Sequence, residues 1–135
     1  MISEELRRHD LVSQGLEYLE NCLEEYIDLI TEITQVPAPS NQEEQRTGFV
    51  KSKMESMGFP AVQVDEVGNV IGFFPGTDAS RVIVSMAHID TVFPMDTDLT
   101  VRREGNILAA PGVSDNSASV ACMLLLGKVF LSHLP

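Results

Sequence analysis

The sequence predicts an α/β domain in which helices flank a central sheet. Three observations carry this. Leu16, Leu19, Leu23, Tyr26, Ile27, Ile30 and Ile33 recur at helical spacing. Arg81-Val82-Ile83-Val84-Ser85-Met86-Ala87 is a short β-branched apolar run, bounded by Gly76-Thr77-Asp78, that reads as a buried central strand. Asn116 through Leu131 is almost wholly apolar, as in a helix covered on every side.

In chain order, Met1 to Gln14 mixes charges without an apolar stripe and reads as a polar leader or a polar extension of the first helix. That helix should run as one piece to the stop at Val36-Pro37-Ala38-Pro39. Ser40-Asn41-Gln42-Glu43 has the form of a capping box. A second helix follows, with Val50, Met54 and Met57 on one face and Gly58 as its terminal glycine. Val62–Asp65 and Asn69–Phe74 flank a hairpin break at Glu66-Val67-Gly68. Leu99–Arg102 and Asn106–Leu108 flank another at Glu104-Gly105.

Composition narrows the function classes. At 135 residues the chain has room for one domain with a modest core, and a net charge of −11 disfavours nucleic acid and anionic membrane partners. No basic segment precedes an apolar run at the start, and Val120–Leu131 is too short to span a bilayer. Cys22 and Cys122 lack a paired spacing and read as reduced, semi-buried thiols of a cytoplasmic protein. There is neither a glycine-rich phosphate loop nor a nucleophile elbow.

The chemistry concentrates in two clusters. His88 and Asp90 follow the predicted strand at its C-terminal end, where an open α/β sheet has its crevice, and a spacing of two points both side chains to one side. Asp90 can then accept a hydrogen bond from one ring nitrogen of His88 while the other binds a cation. A core histidine beside a turn aspartate has the same signature. Asp115 follows the tight loop Pro111-Gly112-Val113-Ser114 at the start of the last helix, where an N-cap is, taken alone, the commoner use of an aspartate. His9 and His133 fall in polar or terminal surroundings and read as solvent-exposed.

Taken together, Ser85-Met86-Ala87-His88-Ile89-Asp90-Thr91-Val92 and Gly112-Val113-Ser114-Asp115-Asn116-Ser117-Ala118 resemble the two N-terminal signatures of the zinc-dependent aminoacylase, carboxypeptidase G and peptidase T family. The resemblance implies that His88 ligates one zinc, that Asp115 bridges two, and that Asp90 serves catalysis by orienting His88. It places a cis peptide at Asp115-Asn116, a costly bond kept at functional sites. It implies an incomplete three-layer catalytic domain of the zinc exopeptidase kind, with a mixed central sheet, over residues 15–135 behind a 1–14 leader. The small polar Asn116-Ser117-Ala118-Ser119 departs from the charged pair that many members carry there, which leaves the subfamily open.

The implied reaction is hydrolysis of an amide in a small peptide or N-acyl amino acid. Two zinc ions about 3.5–4 Å apart would polarise the scissile carbonyl and activate water. Cobalt or manganese also suits one histidine with carboxylates. The family's general base, its other ligands and its lid domain lie downstream of such a segment. The isolated chain is therefore expected to bind metal weakly or not at all, to lack turnover, and either to self-associate through the last helix and the edge of the central sheet or to be partly disordered near its end. The contrasting expectation is a stand-alone, non-catalytic acidic module that binds a metal or a partner.

Overall fold

A computed structural model describes residues 4–76, 78 and 80–133, with the side chain of His133 excluded. The expectations for His133 as an exposed histidine, for Thr77 in the break before the predicted strand and for Met1–Ser3 of the leader lie outside the described residues, as do Leu134 and Pro135. Among the described residues five α-helices and four short strands follow one another as α1 (Glu4–Arg7), α2 (Asp10–Asn21), α3 (Leu23–Thr34), α4 (Glu44–Ser56), β1 (Gln63–Val64), β2 (Val70–Ile71), β3 (Arg102–Glu104), β4 (Ile107–Ala109) and α5 (Ala118–His133). A π-turn, Val113–Ser117, leads directly into α5.

The expected first helix is two helices. The break falls at Cys22, whose backbone leaves the helical region at φ −91° and ψ 17°. Asn21 Nδ2 donates to the Glu17 carbonyl and Cys22 Sγ to the Leu19 carbonyl, side-chain bonds that compete with a continuing helical ladder. Asp10–Gln14 belongs to α2.

The expected capping box does not form either. Asn41 takes a left-handed φ of 66°, the chain turns there, and α4 opens only at Glu44. Glu43 Oε1 accepts from the Asn41 amide, while the Ser40 hydroxyl points elsewhere. At the other end the reading holds. Gly58, at φ 83°, allows the Phe59 amide to reach the Met54 carbonyl and the Gly58 amide the Glu55 carbonyl, the paired bonds of a Schellman ending.

The core is helical. Leu29, Ile30 and Ile33 of α3 pack with Val50 and Met54 of α4, with Val120, Ala121, Leu124 and Leu125 of α5, and with Cys22. The last helix is covered on one side only, since Phe130 and Leu131 stay partly exposed and Cys122 is exposed. Gly127 of α5 gives Phe59 its place, because a Cβ there would sit 2.3 Å from the ring.

Both hairpins are present, as separate two-stranded antiparallel sheets. In the first, Gln63 pairs with Ile71 and Val64 with Val70, and the Asp65 carboxylate closes the turn by accepting from the Val67 and Asn69 amides. The second is offset from its expected position: Glu104 lies in β3 and pairs with Ile107, so the turn is Gly105-Asn106.

The segment from Val82 to Ala87 carries no sheet pairing, contrary to the expected central strand. Among the described residues no strand runs beside it, and a strand acquires its hydrogen bonds only from neighbours. Its apolar side chains therefore meet solvent, Ile83 at 97% exposure. Helix and sheet are mixed along the chain.

Candidate metal centre

Three stretches of chain converge on the candidate site. The first is the connection between α3 and α4. Pro39 and Thr91 form an isolated parallel bridge, the Thr91 amide donates to the Ala38 carbonyl, and the Ser40 amide donates to the Thr91 carbonyl. Arg46 of α4 reinforces this seam from below. Only 1% exposed, its guanidinium donates to the carbonyls of Val36, Thr34 and Ile89, the last of these lying between His88 and Asp90. Burial pushes the Arg46 guanidinium below its ordinary pKa, and the charge of Asp90 opposes that effect.

The second stretch carries His88 and Asp90. Their side chains do face one another, with His88 Nδ1 3.1 Å from Asp90 Oδ1 and 3.2 Å from the Asp90 carbonyl oxygen. The other carboxylate oxygen, Oδ2, accepts from the Ser40 hydroxyl at 2.5 Å. The Ser40 bond and then the His88 contact hold the Asp90 carboxyl below the usual aspartate range, against a partial loss of hydration.

The third stretch is the π-turn. Gly112 enters it at φ 76° and lies so close to Thr91 that a Cβ would come within 3.1 Å of the threonine methyl, so glycine is required twice over. Asp115 and Asn116 have non-helical backbone angles, and the peptide between them is cis, where the resemblance placed it. Asn116 Nδ2 donates to the His88 carbonyl, and the Tyr26 hydroxyl donates to the Ala118 carbonyl at the head of α5. The turn is thus tied both to the histidine segment and to α3.

The result is a line of three side chains. His88 Nε2 lies 3.0 Å from Asp115 Oδ1, and among the described residues no backbone amide of the helix start bonds to Asp115 as it would to an N-cap. All three groups face solvent to some degree, the Asp115 carboxylate most, at 86%. With the Nδ1 proton given to Asp90, Nε2 and Asp115 Oδ1 present lone pairs to each other, an arrangement that a proton or a metal cation between them makes attractive. An imidazole nitrogen and a carboxylate are ordinary zinc ligands, so this pair fits part of a metal site. Among the described residues no three His, Cys, Asp or Glu side chains are placed so that all could hold one metal ion.

Comparison with known proteins relates the chain to hydrolases and peptidases. Residues 69–134 match the model of peptidase family M28, a stretch that includes His88, Asp90 and Asp115. A Pyrococcus abyssi protein named as a putative [LysW]-lysine/[LysW]-ornithine hydrolase is 34% identical over 101 residues, covering 75% of this chain and 28% of the relative. The Escherichia coli K12 protein YgeY, of uncharacterised function, is 27% identical over 113 residues, covering 74% of this chain and 26% of the relative. The chain is related to metallohydrolases. It spans little more than a quarter of the length of these relatives.

The mixed helices and small sheets are compatible with an α/β peptidase-like domain. Among the described residues no helix is long and apolar enough to cross a membrane. Sequence reasoning named His88, Asp90 and Asp115 but missed Ser40, Arg46 and Asn116. Ser40 carried a signal that pointed to helix capping, and a buried arginine among carbonyls leaves no pattern in one dimension.

Proposed function

We propose that this chain supplies the His88 and Asp115 part of a two-zinc centre in an amidohydrolase of the aminoacylase, carboxypeptidase G and peptidase T kind. The observation that carries the reading is the line Asp90–His88–Asp115, which leaves one imidazole nitrogen and one exposed carboxylate oxygen facing each other at 3.0 Å. The zinc dependence general to the matched peptidase family supports the metal, with cobalt or manganese as substitutes.

In this reading residues 15–135 are the N-terminal part of a three-layer catalytic domain behind a 1–14 leader, in a cytoplasmic enzyme. The substrate is a small peptide or N-acyl amino acid. A lysine or ornithine derivative is one candidate, in line with the name of the Pyrococcus relative. His88 would hold one zinc through Nε2, Asp115 would bridge both, and Asp90 would keep the ring turned so that Nε2 faces outward. When bound, the metal pair supplies Lewis acidity toward the scissile carbonyl and lowers the pKa of the attacking water. A general base must still take the proton from that water, and none of the three residues is free for the task. The chain alone is therefore inactive in this reading.

The test is amino acid release from a panel of N-acyl amino acids and dipeptides, using the natural-length gene product with zinc. Release that Asp115→Ala abolishes supports the reading. A natural-length protein without hydrolysis or zinc binding would overturn it in favour of a non-catalytic acidic module.

A further inference from the structure

We propose that Ser40 is a positioning residue of this centre: its hydroxyl locks Asp90 so that the imidazole of His88 keeps its proton on Nδ1 and offers Nε2 to the ligand side. The inference deepens the metal-centre reading above and rests on it for its functional meaning.

Asp90 makes use of both carboxylate oxygens, Oδ2 with Ser40 at 2.5 Å and Oδ1 with His88 Nδ1 at 3.1 Å. A carboxylate held at one oxygen only can swing about its terminal torsion, which is broad and roughly two-fold. Held at both, it presents a fixed acceptor to the ring. Ser40 is itself placed by backbone bonds, since its amide donates to the Thr91 carbonyl while Thr91 pairs back to Ala38. Arg46 pins the Ile89 carbonyl between the two site residues. The hydroxyl therefore arrives at Asp90 on a braced segment.

The competing use of Ser40, helix capping, is not made, because α4 starts at Glu44 and has no side-chain cap bond at its start. A neutral imidazole carries one proton, and here two carboxylates compete for it, Asp90 at Nδ1 and Asp115 at Nε2. Asp115 is 86% exposed and Asp90 36%, so water weakens the first claim more than the second. Loosening Asp90 should tip the balance toward Nε2–H, the tautomer that cannot ligate through Nε2. The Asp90 carbonyl, 3.2 Å from Nδ1, gives a residual acceptor, so the shift is partial.

The experiment is long-range ¹H–¹⁵N correlation of the histidine rings in the metal-free 135-residue chain, at a pH well above the ordinary histidine range, with His88→Gln assigning the signals. Ser40→Ala should lower the Nδ1–H to Nε2–H ratio of His88 by up to about fivefold, the upper bound being the whole worth of one ordinary hydrogen bond. Ser40→Thr should restore it, and Ser40→Val, which matches threonine in shape without the hydroxyl, should not. An unchanged ratio in Ser40→Ala, or equal ratios in the threonine and valine variants, overturns the proposal. Because neither metal nor substrate is present, a protein that fails to hydrolyse amides leaves this result standing. An unchanged tautomer likewise leaves the His88–Asp115 assignment in place.

Discussion

His88 Nε2 and Asp115 Oδ1 lie 3.0 Å apart although 27 positions separate the two residues in the chain. As the only two ligands of the proposed centre they would fall short of the three protein ligands usual for a catalytic zinc. The purified 135-residue chain should accordingly take up zinc weakly or not at all in calorimetry. Sub-micromolar binding that disappears in His88→Ala would show that a complete site exists, assembled between chains.

In the proposed centre Asp90 acts through His88 alone. In the natural-length protein Asp90→Asn should keep metal, measured by elemental analysis after dialysis, and slow turnover by about 10–100-fold. Full loss of metal in that variant would make Asp90 a ligand instead.

Arg46 should be worth more to stability than any exposed ion pair of the molecule. Its removal strands the carbonyls of Val36, Thr34 and Ile89 in a buried seam, so Arg46→Ala should cost about 2–4 kcal/mol in urea denaturation. Arg46→Lys should recover only part of this, because a single ammonium lacks the planar fork that reaches several acceptors at once. A lysine variant as stable as the parent would refute the clamp.

Two helical glycines should respond in opposite directions to alanine. At Gly127 the new methyl would strike the Phe59 ring, and about 1–3 kcal/mol of stability should be lost. At Gly48, within α4, a Cβ meets nothing within 4 Å, so alanine should gain about 0.5–1 kcal/mol from helix propensity. Chemical denaturation of the two variants gives both signs.

Acid should weaken the contact among α2, α3 and α5. Burial raises the Glu25 pKa, but hydrogen bonds from Lys128 and Tyr18 outweigh it and leave the carboxyl below the ordinary glutamate range. A depressed folded pKa means stability that is present above the unfolded value and lost as pH falls through the folded one. Melting temperatures between about pH 3 and pH 6 should therefore rise more steeply for the parent than for Glu25→Gln. Parallel profiles would remove Glu25 from the acid response.

Val82, Ile83, Val84 and Met86 lie open along a segment without sheet partners, and Phe130 and Leu131 of α5 are partly open. The isolated chain should self-associate through such surfaces. Light scattering that gives a monodisperse monomer at high concentration would count against this.

The sequence by itself determined the local features: the helical face that carries Ile30 and Ile33, though Leu19 and Leu23 of the same stripe are exposed and Leu29 is buried beside them, the glycine ending of α4 at Gly58, and both hairpins, the second of them offset. These follow from spacing and from single-residue backbone preferences, which act over a few positions. Tertiary structure decided the rest. Only through-space contact could divert Ser40 from a capping box to Asp90, bury Arg46 among three carbonyls, or turn Asp115 away from the helix start toward His88. The apolar run at Val82 shows the converse. Its composition favours a strand, but a strand exists only where a neighbour supplies its hydrogen bonds, and no described strand lies alongside it.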